Sequence, residues 1–180
     1  MVYVFLADGF EEIEALTPVD LLRRGGVEVI TVGVGKKNIT SSHKITVTAD
    51  ITTDDITVFK NVEAVVLPGG MPGTLNLEKC DKVIDAVKYC VSNNILVGAI
   101  CAAPSILGHL GFLKGKKATA FPGFQKELEG ANLDTEYVSH DGMIVTARGM
   151  GVSTEFALKL LEIIKDAETA KNVKDAIQCR

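Results

Sequence analysis

The chain has 180 residues, 47% hydrophobic and 23% charged, and its 19 basic and 23 acidic residues leave a net charge of -4. That length suits a single domain over 1–180, with enough apolar surface to fold without a metal or disulfide scaffold. The charge balance offers no basic field for gathering phosphates, so nucleic acid is not an expected partner, and the apolar content argues against disorder.

The chain opens on an apolar run from Val2 to Ala7 that meets Asp8-Gly9 with no basic segment before it. It reads as a buried first strand, not a signal peptide. A helical period over 11–24 and a strand over 27–33 follow. His43 to Asp50 alternates with period two and reads as an antiparallel excursion at a sheet edge. A strand at 64–67, a helix at 79–93, a strand at 95–100 and a helix at 102–111 come next. Shorter strands are expected near 117–120, 135–139 and 143–146, with Ser139-His140-Asp141-Gly142 as a hairpin turn between the last two. Helices at 152–165 and 167–178 close the chain.

Ile95 to Leu113 contains no Asp, Glu, Lys or Arg. Gly98, Pro104, Gly108 and Gly111 divide it into strand, turn and helix, so it does not read as a membrane span. A soluble, cytoplasmic protein with no membrane partner is expected. Strand–helix alternation with near-continuous apolar strands predicts an α/β fold: a mostly parallel, doubly wound sheet with helices on both faces.

Ligands of such sheets gather outside the carboxyl ends of the strands. Of the four cysteines, Cys80, Cys90, Cys101 and Cys179, Cys101 alone stands there. It follows the strand Leu96 to Ile100 and opens a helix through Ala102, Ala103 and Pro104, the context of a nucleophile elbow. A helix N-terminus is expected to lower its pKa. The competing reading is a small buried hydrophobe, since free cysteine is among the most buried residue types.

Phe10, Glu14, Pro18, Leu21 and Leu22 share one helical stripe, so Glu14 occupies a place where a hydrophobe belongs. Burial there keeps a carboxyl protonated; the alternative is a stripe-edge side chain reaching outward. Pro18 cannot donate to the Glu14 carbonyl and is expected to bend or break the helix. Glu11 and Glu12 favour the helix start through the dipole. A neutral Glu14 could donate a hydrogen bond to a Cys101 thiolate and then relay protons. Gly69 and Gly70, after the strand at 64–67, join the Ala102 N–H as candidate oxyanion donors, although glycines there also suit a plain turn.

No histidine is a natural base: His43 lies on the edge excursion, His109 two turns into a helix and His140 in the hairpin. Zinc-ligand and P-loop spacings are absent, so no metal and no cofactor are expected. Gly149-Met150-Gly151-Val152-Ser153-Thr154 falls at the wrong end of the chain for a dinucleotide fingerprint.

Four segments carry a family resemblance. They are Ala7-Asp8-Gly9-Phe10-Glu11-Glu12-Ile13-Glu14 with Pro18 to Arg24, Val65-Val66-Leu67-Pro68-Gly69-Gly70, Ala99-Ile100-Cys101-Ala102-Ala103-Pro104, and Arg148-Gly149-Met150-Gly151. In that order they resemble the ThiJ/PfpI superfamily, in its DJ-one branch, over nearly the whole chain. The resemblance implies a flavodoxin-like sandwich and a homodimer, with Cys101 as reactive cysteine, Glu14 as its acid, and Gly70 and Ala102 as backbone donors. It implies glutathione-independent glyoxalase activity on methylglyoxal or deglycase repair of glycated protein, and roles as a redox-sensing stress protein or chaperone. The partner would be a small reactive carbonyl substrate or a glycated protein.

Three departures stand out. Phe121 occupies a position where a well-known member carries His, His43 replaces an Arg, and Ala102 replaces the His that follows the cysteine in the protease-like branch. Peptidase activity is therefore not expected, and Phe121 and Arg148 are placed at the periphery of the site. An amidotransferase-like hydrolase would need a downstream His, for which His140 is the one candidate.

Overall fold

The computed structural model describes residues 1–179. Its first strand, β1 (Val2–Leu6), is buried at every position. Alternate residues of a strand face opposite sides of its sheet. Accordingly Val2, Val4 and Leu6 enter one core cluster, while Tyr3 and Phe5 enter another. A strand that is apolar on both faces belongs at the centre of a covered parallel sheet.

Along the chain follow α1 (Glu12–Arg24), β2 (Val29–Gly33), β3 (Asn38–Thr40), β4 (Thr46–Thr48), β5 (Ile51–Thr52) and β6 (Ala64–Leu67). Next come α2 (Gly73–Glu78), α3 (Asp81–Ser92), β7 (Leu96–Ile100), α4 (Pro104–His109), β8 (Lys117–Ala118) and β9 (Asn132–Leu133). The chain finishes with β10 (Val138–Asp141), β11 (Ile144–Ala147), α5 (Ser153–Ile164) and α6 (Ala167–Ala176). Seven strands form one sheet in the order β10-β11-β7-β6-β1-β2-β5. Every neighbouring pair is parallel except β10 with β11. Leu21, Leu22, Phe156, Leu160 and Val173 cover one face from α1, α5 and α6, and Val83, Val87, Ile106 and Leu107 cover the other from α3 and α4. This is the doubly wound α/β architecture that the alternation predicts. Among the described residues, no helix is long and apolar enough to cross a membrane.

Several local expectations are corrected. Pro18 does not end the helix: α1 runs unbroken from Glu12 to Arg24. Its buried stripe is packed into the core with α5, and tertiary packing outweighs one missing backbone bond. The 43–50 excursion does not join the edge of the main sheet; its β4 pairs with β3 in a separate two-stranded ribbon, and the edge strand is β5. Likewise β8 pairs with β9, outside the main sheet. The hairpin turn falls later than expected, at Gly142 and Met143, because Asp141 still pairs with Ile144 and Gly142 supplies the positive φ of 61°. Finally, α2 starts at Gly73, directly after the Gly- and Pro-rich stretch 68–72, where the sequence pattern predicts no helix.

Parallel neighbours end on the same side. Thus β1, β6 and β7 deliver Ala7, Pro68 and Cys101 to one carboxyl edge, with β6 in the middle.

Candidate functional site

Cys101 follows β7 with φ of 64°, a left-handed conformation unusual for a residue with a side chain. Backbone bonds on both sides hold it there. Its N–H donates to the Ala147 carbonyl of β11 at 2.8 Å, and its own carbonyl accepts from the Phe121 N–H at 2.9 Å. Such strain persists where surrounding structure over-determines it, as at a nucleophile elbow.

Glu14 reaches the same point from α1. It is 1% exposed, and its Oε2 accepts from the Gly69 N–H at 2.9 Å. The Met150 N–H and the Cys101 thiol also face this carboxyl. Glu11 does more than favour the helix start, because its Oε2 caps α1 by accepting from the Glu14 N–H at 2.7 Å. Burial above all, with the Glu11 charge, pushes Glu14 up to about 7, against the pull of its hydrogen-bond donors. The acid on the stripe is therefore inward-facing and close to neutral.

Gly69 marks how tightly the pair is built. A Cβ there would stand 2.6 Å from both the Cys101 Cβ and the Glu14 Oε2. Gly70 has φ of 90°, and a Cβ would meet the Glu11 N at 2.4 Å. Both glycines answer to close approach, beyond turn geometry. Gly69 spends its N–H on Glu14 and so is not an oxyanion donor; the N–H groups of Gly70 and Ala102 are the ones that face the Cys101 sulfur.

The expected lowering of the Cys101 pKa is also corrected. Helix α4 starts three residues later, at Pro104, and is six residues long, so its dipole is weak at the sulfur. Burial, then the charge and hydrogen bond of Glu14, push the thiol up to about 12, opposed by the Ala102 and Gly70 N–H groups. The two groups form one titrating unit. Burial thus favours the protonated form of both groups.

The pair lies at the base of a cleft of about 640 Å³. Phe121, Pro122, Tyr137 and Met150 form apolar walls, while His43 and Arg148 add polar groups. Phe121 and Arg148 both line this cleft. Arg148 is pinned over the Tyr137 ring, 4.9 Å from its centroid, and donates to the Thr135 carbonyl at 3.0 Å. Sequence reasoning missed Tyr137 and His43 as cleft residues, whereas Met150 belongs to the Arg148–Gly151 segment that it singles out. Tyr137 sits in a loop without a pattern, and His43 arrives on the β3–β4 ribbon.

The His43 Nδ1 stands 3.1 Å from Oε1 of the buried Glu12. Glu11, Glu12 and His43 set one ligand-type atom each within 4.8 Å of one another. Glu11 is committed as the helix cap and Glu12 faces His43, so the group reads as a capped helix start with one Glu12–His43 contact. His109 bridges Glu78 at 2.6 Å and Glu127 at 3.3 Å. His140 donates to the Gly142 carbonyl at 2.7 Å. Neither His109 nor His140 lines the cleft, which leaves an amidotransferase-like relay without its one candidate base.

The DJ-1/PfpI family model matches residues 1–163. Protein DJ-1 homolog A of Arabidopsis thaliana is 38% identical over 185 residues, covering 99% of this chain, which spans 46% of that longer protein. Glutathione-independent glyoxalase DJR-1.2 of Caenorhabditis elegans is 30% identical over 165 residues, 91% of this chain and 87% of its own. The solved structure of oxidized Toxoplasma gondii DJ-1 superposes with a TM-score of 0.94 at 31% identity, over 99% of this chain and 97% of that one.

Proposed function

Because the chain belongs to the DJ-1/PfpI family, we propose that it is a cysteine-dependent glyoxalase-type enzyme that converts small dicarbonyls to α-hydroxy acids without glutathione. The observation that carries this reading is the buried, hydrogen-bonded Glu14–Cys101 pair at the base of an open cleft. The name of the nematode relative supports it.

The Cys101 sulfur adds to the aldehyde carbon of methylglyoxal while its proton passes to Glu14. Whichever of the two atoms holds that proton beforehand, carbon–sulfur bond formation leaves it on the carboxyl. The N–H groups of Gly70 and Ala102 are the donors available to the developing oxygen charge, and Glu14 protonates that oxygen to give a hemithioacetal. As a carboxylate with a pKa close to working pH, Glu14 then takes the hydrogen of the first carbon as a proton and returns it to the second. The product is a thioester of lactate on Cys101, which water hydrolyses to lactate and free thiol. Applied to an early glycation adduct, the same addition gives deglycase activity.

The test is lactate formation from methylglyoxal without glutathione. Cys101→Ala should form none, and Glu14→Gln should lose about 100-fold in kcat. Wild-type-like turnover in either variant would sink the mechanism.

A second reading is redox sensing through oxidation of Cys101 to a sulfinate. The described oxidized state of the Toxoplasma relative favours it, as does a thiol that is reachable from the cleft whereas Cys90 is fully buried. Mass spectrometry after mild peroxide separates the two readings: preferential oxidation of Cys90 would count against sensing by Cys101.

A further inference from the structure

The wall facing the pair bears on what the substrate carries beyond its two carbonyls. Phe121 is tied to the nucleophile by the bond from its N–H to the Cys101 carbonyl. A probe position fixes where its ring lies. An ideal Cβ on Gly149 would stand 3.9 Å from the Cys101 Sγ, 3.8 Å from the Glu14 Oε1 and 3.7 Å from the Phe121 Cδ2. Sulfur, acid and ring edge thus all lie within 4 Å of one point beside the Gly149 backbone. A group on a carbon bonded to that sulfur can therefore reach the Phe121 ring.

Past that point the walls are mostly apolar, with His43 and Arg148 as polar members. Phe121, Tyr137 and Met150 are 48%, 62% and 53% exposed, and all three line this one opening. Large apolar side chains grouped at an opening mark a binding surface, where scattered ones would not. The cleft volume falls in the range that encloses a drug-sized ligand, far beyond what a three-carbon dicarbonyl fills. Phe121 has no titratable atom, so its contribution is shape and an aromatic face.

We propose that Phe121 determines specificity, and that it selects α-oxoaldehydes whose second carbonyl bears an apolar, ring-sized substituent, such as arylglyoxals, over methylglyoxal. The proposal rests on the reading of Cys101 and Glu14 as the reacting pair. The overall step is R–CO–CHO plus water to R–CHOH–COOH. A C–S bond forms and is later hydrolysed, one hydrogen moves from the first carbon to the second as a proton, and no oxidant or reductant is consumed.

The experiment compares kcat/KM for phenylglyoxal and methylglyoxal in the wild type, Phe121→Ala and Phe121→Tyr, with mandelate and lactate quantified as products and Cys101→Ala as blank. Both substrates undergo the same chemistry, so the ratio isolates the substituent. The wild type should favour phenylglyoxal. Phe121→Ala should lower the phenylglyoxal-to-methylglyoxal ratio about tenfold, equivalent to about 1.4 kcal/mol, and Phe121→Tyr, which keeps the ring, should restore it. A ratio unchanged in Phe121→Ala overturns the role of Phe121 while leaving the reaction intact. Turnover of neither aldehyde by the wild type overturns the glyoxalase reading itself.

Discussion

Replacing Glu14 by Gln should flatten the pH dependence of folding stability. In the folded chain this carboxyl titrates at about 7, against an ordinary 4.5, chiefly because it is buried. Between those two values the folded carboxyl keeps a proton that the unfolded one has lost. The folded state then binds more protons, so stability falls as pH rises through that window, and the loss is complete above about pH 7. The gap between 4.5 and about 7, at about 1.4 kcal/mol per pH unit, amounts to roughly 3 kcal/mol. A total folding stability of about 5–15 kcal/mol makes that readily measurable. Gln retains an acceptor for the Gly69 N–H and carries no charge at any pH. Urea unfolding at pH 4 and pH 8 supplies the assay, and the difference between the two proteins cancels every other titrating group. Wild type should lose about 3 kcal/mol more than the variant across this range. Parallel losses in both would refute a buried, nearly neutral Glu14.

Alkylation of Cys101 by iodoacetamide should stay slow from pH 6 to pH 9, because burial and the charge and hydrogen bond of Glu14 push the thiol up to about 12, and Glu14→Gln, which removes that charge, should speed labelling at pH 9 when the peptide is followed by mass spectrometry. Cys90, fully buried and pushed up to about 12 by desolvation, should stay unlabelled in native protein over the same interval. Gly69→Ala forces a methyl against the Cys101 Cβ and the Glu14 Oε2; it should cost about 1–3 kcal/mol in chemical denaturation and abolish turnover. His109 is raised by Glu78 first and then Glu127, so its pairs contribute below the ordinary histidine range and fade as pH climbs past the raised value. Loss in His109→Asn should therefore be under about 1 kcal/mol at pH 6, since the pairs are partly exposed, and should disappear by pH 9 in thermal unfolding.

The layered architecture was legible because the buried strands announce themselves: Val2 to Leu6 and Leu96 to Ile100 are apolar at consecutive positions, which suits a sheet covered on both faces. Glu14 was legible for the opposite reason, as a charge on a stripe of hydrophobes. Short strands such as β3 and β9 were not, because two or three residues carry no period to detect. The destination of the Gly69 N–H was equally hidden. A glycine in sequence indicates freedom and closeness, but which acceptor its N–H meets depends on how α1 lies across β6. The electrostatics of Cys101 misled because a strand-to-helix turn suggests a dipole, while the realised helix starts late and is short. His43 entered the cleft through a ribbon whose docking follows from tertiary contacts alone.

The bond between the Gly69 N–H and Glu14 joins groups 55 positions apart in sequence, and the bond from Cys101 to Ala147 ties β7 to a strand laid down still later. Contacts of that separation close large loops and are completed late. During synthesis from the N-terminus, Cys101 emerges before β11 exists to hold its backbone in the left-handed turn. Until then its N–H has no Ala147 carbonyl to hold the turn that aims the sulfur at Glu14. The special reactivity thus belongs to the finished sheet, and a chain truncated before β11 should display cysteine chemistry of no distinction.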